Sequence, residues 1–212
     1  MRLYRYMSLS NLWYVLDIAV RNRIYCAHWA QLNDPLEGHY EFYFRRKDDP
    51  RLTQIKDALR ANRDRHRIAS FSEDPSNFLL WSHYADGHKG IALEVEIDED
   101  DPCLTKVLYS EFYSVFTEDD DLTLNHPHVF NGKTPEWAYE KEWRIITTSE
   151  YYSLDKSCSR ILLGALTAPD KREILKRILP VRVKLVETRL DYSNGRVEVV
   201  DPERDSQKTR PL

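Results

Sequence analysis

The sequence has few cysteines, no excess of positive charge and no long apolar run, and each absence excludes a class of protein. The 212 residues include three cysteines, far apart and without a Cys-x-x-Cys pair, so we expect neither a disulfide framework nor a zinc ribbon. The formal net charge is -4, so no overall basic field draws the chain to nucleic acid or anionic lipid. No apolar run approaches the roughly 20 residues that a membrane helix needs, and we expect no signal peptide. These features predict a cytoplasmic protein.

Several well-known catalytic motifs are also missing. The sequence contains no P-loop, no Rossmann glycine fingerprint and no G-x-S-x-G elbow. Aromatic residues, in contrast, are abundant, with 13 Tyr, 7 Phe and 5 Trp. Because aromatic side chains mixed with charged ones are typical of ligand clefts, the segments where the two types cluster are the candidate sites.

The hydrophobic pattern predicts an α+β fold with a mainly antiparallel sheet, continuous or split, and helices concentrated in the N-terminal half. We expect a single domain over residues 1–200 and a polar C-terminal tail over 201–212. The predicted strands cover 3–6, 23–28, 67–72, 90–97, 104–109, 143–147 and 160–166, and the predicted helices cover 52–65, 76–87 and 170–178.

Three local patterns make more detailed predictions. A further helix is predicted over 9–20, where Leu9, Leu12, Trp13, Leu16 and Val20 follow helical spacing and predict one buried stripe. The strand over 90–97 alternates between large apolar residues and small or acidic ones, which predicts one buried and one exposed face. Asn194-Gly195 is typical of a tight hairpin turn.

The opening strand carries the first candidate segment, Tyr4-Arg5-Tyr6. Because side chains alternate along a strand, Arg5 lies on the face opposite to both tyrosines. A guanidinium fixed in this way can clamp phosphate or carboxylate, although a surface arginine is an equally simple interpretation.

A second segment, Asn33-Asp34-Pro35 with Glu37, has the composition of a turn. Asn, Asp and Pro are explained by turn chemistry alone, without any ligand.

The third segment runs from residue 70 to 90, SFSEDPSNFLLWSHYADGHKG, and contains His83 and His88 beside Trp81 and Tyr84. Two histidines five apart on one helix point about 140° away from each other, which is awkward for one metal. If Gly87 ends the helix, the second histidine can turn towards the first. Each histidine by itself is more typical of a structural role.

The fourth segment, EWAYEKEWR, places Glu140 and Glu142 two residues apart. In an extended chain both carboxylates point the same way, so the pair requires a nearby cation or a functional reason. Arg144 lies on the same face and can supply that cation. A salt-bridge ladder and an active site are equally consistent with this pattern.

Four of these motifs together, LNDPLEG, SFSE, LLWSHYADGHKGIALE and YEKEWRI, resemble in order and spacing an uncharacterised bacterial domain-of-unknown-function family, DUF2971. The resemblance extends over nearly the whole chain to about residue 164. It implies membership of that family but no activity.

The chain also resembles the ADP-ribosyltransferases of the Arg-Ser-Glu type, which have an arginine on the first strand, a Ser-Thr-Ser strand and a later Glu-x-Glu element. The matching residues here are Arg5, then Ser70-Phe71-Ser72, then Glu140-Lys141-Glu142. The resemblance implies NAD as cofactor and an unknown macromolecular acceptor, nucleic acid or protein, in a toxin or phage-defence setting.

The roles implied by this second resemblance are specific. Arg5 would hold the NAD pyrophosphate, and Ser70 would support the nicotinamide side and the catalytic glutamate. Glu142 would stabilise the cationic ribose, and Glu140 would orient or activate the acceptor. The remaining residues expected at the NAD site are Tyr4, Ser72, Trp81, His83, Tyr84 and His88, with the aromatic rings able to stack on nicotinamide or adenine.

Two other functions remain open from the sequence. A metal-dependent nuclease or phosphohydrolase would use the following ligands: His83, His88, Asp34, Glu140 and Glu142. In that case Arg144 or Lys89 would bind phosphate. A non-catalytic module that binds a ligand or a protein would use the same aromatic and charged cluster without chemistry.

Overall fold

The computed structural model describes residues 1–34, 36–38, 40–43, 51–111, 114–117 and 130–201. The chain divides into two compact units, each built from separate segments. Unit 1 consists of Met1–Ile24, Phe71–Glu99 and the chain from Ser153 onward, and unit 2 consists of Tyr25–Ser70 and Asp100–Tyr152. The prediction of one domain over 1–200 stays a prediction.

The described strands and helices confirm the α+β class. The strands are β1 Arg2–Met7, β2 Arg23–Tyr25, β3 Ala27–His28, β4 Tyr40–Tyr43, β5 Arg67–Ser72, β6 Ile91–Glu96, β7 Leu104–Lys106, β8 Leu108–Tyr109, β9 Ser114–Thr117, β10 Gly132–Lys133, β11 Glu142–Thr147, β12 Tyr151–Ser153, β13 Arg160–Leu163, β14 Lys184–Asp191 and β15 Arg196–Val200. The α-helices are α1 Leu12–Arg21, α2 Arg51–Arg65, α3 Phe78–Tyr84 and α4 Pro169–Ile178, and short 3₁₀ helices cover Leu9–Asn11, Trp29–Gln31 and Pro135–Glu140. Three of the four α-helices lie in the N-terminal half, as predicted.

The sheet of unit 1 runs in the order β15-β14-β13-β6-β1. All of these neighbours pair antiparallel except β13 and β14, which are parallel and are connected through α4. The predicted hairpin at Asn194-Gly195 is present between β14 and β15, and Gly195 adopts the left-handed φ of 61° that such a turn requires. The sheet is therefore mixed and mainly antiparallel.

Strand β6 differs from its prediction because both of its faces are buried. Ala92 and Glu94, on the face expected to be exposed, are as inaccessible as Leu93. The strand lies between β1 and β13, and Ala92 packs into a core with Trp81 and Leu162. A central strand covered on both faces needs no polar side. Glu94 is tolerated there because Arg160 Nη1 donates a hydrogen bond to its Oε2 at 3.1 Å.

Helix α1 also differs from its prediction, because the residues it buries are Val15, Ile18 and Ala19. Trp13, assigned to the buried stripe, has 82% of its surface exposed. The helix is apolar on more than one side, so sequence spacing by itself could not select the face that packs.

Unit 2 contains the strand order β5-β11-β7, with β3 also paired to β5. The neighbouring pairs β11–β7 and β3–β5 are antiparallel. Two small sheets, β8–β10 and β4–β9, are parallel. Ile68, Phe130 and Ile146 form a hydrophobic core of this unit.

The first residue of the predicted polar tail, Asp201, is packed into unit 1. Asp201 is buried, and its carboxylate accepts hydrogen bonds from Arg160 at 2.5 Å and from Lys184 at 3.1 Å. Two cations thus hold this residue in unit 1. The rest of the predicted tail, 202–212, lies outside the described residues.

In the described part of the chain, none of the helices combines the length and the apolar character that crossing a membrane requires.

Candidate functional site

Five ionisable side chains of unit 2 form one buried group, which we call the charged cluster: Glu37, Lys133, Glu140, Glu142 and Arg144. All five are less than 10% exposed. Three carboxylates and two cations leave one net negative charge within this largely buried group. Such a group is stable only when nearly every charge is paired, so its geometry is tightly constrained.

The two predicted glutamates enter the cluster through a change of backbone conformation between them. Glu140 ends the 3₁₀ helix Pro135–Glu140, and Glu142 begins β11. Lys141 between them adopts a left-handed φ of 45° and turns its own side chain to solvent. The carboxylates therefore approach each other through a sharp turn, whereas the sequence suggested an extended segment.

Glu37 and Lys133 come from parts of the chain far from β11. The Asp34 carboxylate accepts a hydrogen bond from the backbone N–H of Leu36 at 2.9 Å, and the N–H of Glu37 donates to the Asp34 carbonyl at 3.1 Å. This turn presents Glu37 to the cluster. Lys133 lies on β10 and is paired in register with Tyr109 of β8.

Arg144 is the centre of the cluster and is completely buried. Its Nε donates to Glu142 Oε1 at 2.7 Å and its Nη2 to Glu142 Oε2 at 3.1 Å. On its other side, Nη1 and Nη2 donate to the two oxygens of Glu37 at 2.7 and 2.5 Å, and Nη1 also donates to the Phe130 carbonyl. Arg144 thus supplies a cation to Glu142, one member of the predicted glutamate pair.

Lys133 links all three carboxylates. Its Nζ lies 2.7 Å from Glu140 Oε2, 2.8 Å from Glu142 Oε2 and 3.5 Å from Glu37 Oε1. A single ammonium thus brings Glu140 and Glu142 together, which the guanidinium alone does not do.

The pKa shifts follow from this arrangement. Burial opposes ionisation of Glu142, but the charges of Arg144 and Lys133 outweigh it and lower the pKa of Glu142 to about 2. Burial likewise disfavours the charged form of Lys133, yet the carboxylates, Glu142 foremost, raise its pKa. Burial also raises the pKa of Tyr109, whose hydroxyl accepts from the Glu142 N–H at 2.8 Å, to about 12. At neutral pH Glu142 is therefore a fixed anion and cannot donate a proton.

Aromatic rings on the 3₁₀ helix lie beside the cluster. The Trp137 ring centroid is 5.0 Å from Lys133 Nζ, and the rings of Trp137 and Tyr139 lie 6.2 Å apart. Both side chains are half-buried, so each exposes part of its surface next to the charges. The motif EWAYEKEWR thus supplies the two glutamates and a pair of partly exposed rings.

The predicted serines and Arg5 occupy neighbouring strands. Ser70 is half-buried on β5 in unit 2. Ser72 is buried, pairs in register with Tyr4, and accepts a hydrogen bond from the Asp74 N–H at 3.0 Å, as expected for a turn residue. Arg5, in unit 1, is half-buried with its guanidinium carbon 5.7 Å from the centroid of the Phe71 ring.

The aromatic residues expected to stack on NAD have different environments. Tyr4 is buried and donates its hydroxyl hydrogen to Glu94 Oε2 at 3.2 Å. Trp81 is completely buried, with its Nε1 donating to the Pro75 carbonyl at 2.8 Å, so it presents no ring surface to a ligand in this structure. Tyr84 is half-buried.

The two histidines are also in different environments. His83 is exposed, with its ring in edge contact with Tyr84. His88 is buried, with its ring 4.5 Å from that of Phe78 and its Nε2 3.0 Å from Ser82 Oγ. Among the described residues, no group of three or more His, Cys, Asp or Glu side chains is placed to hold a metal ion.

Sequence reasoning missed three members of this site. Glu37 was assigned to a turn, and Lys133 and Trp137 were given no role. One signal was available for Lys133, because Glu140 and Glu142, if both are buried, need more than the single cation that Arg144 provides. No signal indicated which of the lysines would meet that need.

Unit 1 contains a separate open pocket of about 660 Å³. Its floor includes Tyr4, Glu94 and Leu162, and its rim includes Arg196 and Asp191 of the β14–β15 hairpin. Apolar and charged groups of both signs line it. Polar and charged residues outnumber apolar ones in the lining, so the pocket suits a polar ligand rather than an apolar one.

Comparison with known proteins finds a family resemblance over part of the chain and no activity. No curated protein and no solved structure matches the chain. Residues 80–145 match the model of a family described as a protein of unknown function, DUF2971, which confirms the family resemblance expected from the sequence.

Proposed function

We propose that this protein is an ADP-ribosyltransferase-like enzyme that uses NAD, with Glu142 as the carboxylate that stabilises the cationic ribosyl centre. The observation that carries the proposal is the convergence of Glu140 and Glu142 on the ammonium of Lys133, at 2.7 and 2.8 Å. A Glu-x-Glu pair is one of the three elements of the transferase resemblance, the others being Arg5 and the strand Ser70-Phe71-Ser72.

The electrostatics of Glu142 suit this chemistry better than acid–base chemistry. A general acid at neutral pH needs a raised carboxyl pKa, whereas that of Glu142 is about 2. Loss of nicotinamide leaves positive charge on the ribose, and a permanently ionised carboxylate held in place by Arg144 stabilises that charge without reorganising. The described residues also contain no metal-ligand group that would favour the hydrolase alternative.

The neighbouring side chains have roles consistent with the proposal. Trp137 and Tyr139 offer partly exposed rings for stacking on nicotinamide or adenine. Glu140, the second carboxylate on Lys133, is placed to orient an acceptor nucleophile. The acceptor itself, nucleic acid or protein, is proposed from the resemblance alone, as is a cytoplasmic toxin or phage-defence setting.

The experiment is release of nicotinamide from NAD by the purified protein, with and without cell lysate as a source of acceptor. Glu142→Gln keeps the shape of the side chain and removes its charge. Glu136→Gln is the matched control, because Glu136 is an exposed glutamate on the same 3₁₀ helix. A thermal melt of each variant separates loss of activity from loss of fold.

We expect release by the wild type and by Glu136→Gln, and at least a hundredfold slower release by a folded Glu142→Gln protein, since one preorganised electrostatic contact contributes about 10²–10³ in rate. If Glu142→Gln does not fold, Glu140→Gln takes its place. The proposal is wrong if the wild type releases no nicotinamide with lysate present, or if the folded glutamate variants retain full activity.

A second candidate, a module that binds a small ligand without chemistry, is favoured by the pocket in unit 1. Thermal-shift screening of wild type against Arg196→Ala, a change at the pocket rim, tests it. A ligand that stabilises the wild type and not the variant, in a protein without NAD turnover, would support this function.

A further inference from the structure

The segment after α3 contains three consecutive residues in the left-handed region of backbone space. Asp86, Gly87 and His88 have φ values of 51°, 58° and 67°. Only glycine adopts this conformation without cost, so Asp86 and His88 are held there by their surroundings. A strained backbone conformation persists only where surrounding contacts hold it in place. Such conformations are concentrated at functional sites.

The backbone of His88 is fixed from two sides. Its N–H donates to the Trp81 carbonyl at 3.1 Å, and its carbonyl accepts from the N–H of Leu166 at 2.9 Å. Gly164 passes so close that a Cβ there would lie 2.2 Å from the His88 oxygen. These contacts fix the backbone of His88, and therefore the direction of its Cα–Cβ bond, relative to α3.

The imidazole faces the hydroxyl of Ser82. His88 Nε2 lies 3.0 Å from Ser82 Oγ, within hydrogen-bond distance. Ser82 is half-buried, whereas His88 is buried with its ring centroid 4.5 Å from that of Phe78. A serine hydroxyl within hydrogen-bond distance of a buried imidazole is the geometry of a nucleophile and its base.

The other ring nitrogen of His88, Nδ1, is unusual because it is buried without a hydrogen-bond partner. Buried polar atoms are nearly always paired, so an orphan atom calls for an explanation. Burial also lowers the pKa of His88 below 6.5, which keeps the ring neutral at pH 7 and able to accept a proton. Of the two neutral tautomers, the one protonated on Nδ1 leaves Nε2 free for the serine proton.

We propose that Ser82 and His88 form a nucleophile–base pair that reacts with an activated acyl ester. The hydroxyl proton of Ser82 passes to His88 Nε2 while Oγ forms a bond to the acyl carbon. The bond from that carbon to the leaving alkoxide breaks, and the alkoxide takes the proton from Nε2. Water then attacks the acyl-serine by the same route and releases the carboxylic acid. This activity is separate from the proposed NAD chemistry and does not depend on it.

The test is labelling by a fluorophosphonate probe, in which Ser82 Oγ bonds to phosphorus and fluoride leaves. Peptide mass spectrometry identifies the labelled serine. Ser82→Ala removes the nucleophile. His88→Gly removes the base and is compatible with the left-handed backbone at that position. Ser193→Ala is the control, since Ser193 is an exposed serine in the turn between β14 and β15.

We expect labelling of Ser82 in the wild type and in Ser193→Ala at rates within twofold of each other, and none at this position in Ser82→Ala. His88→Gly should label at least tenfold more slowly, and added imidazole should restore part of the rate. A purely structural histidine would not be replaced by imidazole in solution. If His88→Gly does not fold, the wild-type labelling rate must instead rise with pH, with a midpoint below 6.5.

Two results overturn the proposal. The first is the absence of label on Ser82 in the folded wild-type protein. The second is a labelling rate that does not change between pH 5 and pH 8 and that is the same in the wild type and in His88→Gly.

Discussion

Arg144 and Glu37 lie 107 positions apart in the sequence and form a pair of parallel hydrogen bonds, with Nη1 to Oε2 at 2.7 Å and Nη2 to Oε1 at 2.5 Å. The same guanidinium contacts Glu142 through Nε at 2.7 Å. One fully buried cation therefore joins the turn that carries Glu37 to strand β11. The consequences for stability and for the proposed activity can be tested separately.

Replacing Arg144 by Met should destabilise the protein by about 3–5 kcal/mol, because it leaves buried carboxylates without their cation. The free energy of unfolding in urea measures this change. Arg189→Met is the matched control, since Arg189 forms the same type of paired contact with Glu198 on an exposed surface. That variant should lose less than about 1 kcal/mol. Equal losses in the two variants would contradict the buried network.

Stability should fall in acid as Glu142 is protonated. Its folded-state pKa, about 2, is depressed below the ordinary value of 4.5. The stabilising contribution is therefore complete above pH 4.5 and is lost as the pH falls towards 2. Urea unfolding of wild type and Glu142→Gln at several pH values measures it. The difference between the two curves should shrink between pH 4.5 and 2, and a constant difference would show that Glu142 does not titrate in this way.

Gly164→Ala should be strongly destabilising, because the added Cβ would lie 2.2 Å from the carbonyl oxygen of His88. The contact is with backbone, which cannot move aside without breaking the hydrogen bond from Leu166. Gly132→Ala is the control, since nothing lies within 4 Å of its added Cβ. Thermal melts should show a large drop in Tm for the first variant and a small change in either direction for the second. Equal Tm values for the two variants would show that His88 lies farther from Gly164 than it does in this structure.

Trp137→Ala should weaken NAD binding roughly threefold to tenfold if its half-buried ring stacks on a base, since aromatic stacking contributes about 0.5–1.5 kcal/mol. Isothermal titration calorimetry measures the Kd. Trp143→Ala is the control, because Trp143 is also half-buried and also lies beside a lysine, Lys106, at 5.3 Å. If both variants bind NAD as the wild type does, Trp137 has no part in the site.

Much of the local structure followed from the sequence alone. The hairpin at Asn194-Gly195 and the strand β5 lie where turn chemistry and β-propensity placed them. The pairing of Glu142 with Arg144 was also predictable, because residues two apart on a strand share a face. These features depend on interactions between residues close together in the chain.

The tertiary structure decided everything that depends on distant partners. It selected Lys133 from a segment without periodicity and Glu37 from a turn, because a buried carboxylate takes whichever cation the fold brings within reach. It buried Ala92 and Glu94 on the face of β6 that alternation assigned to solvent, and it left Trp13 exposed on an apolar helix. Periodicity indicates that a face is apolar. Whether that face is buried depends on the strands and helices that cover it, and these lie elsewhere in the sequence.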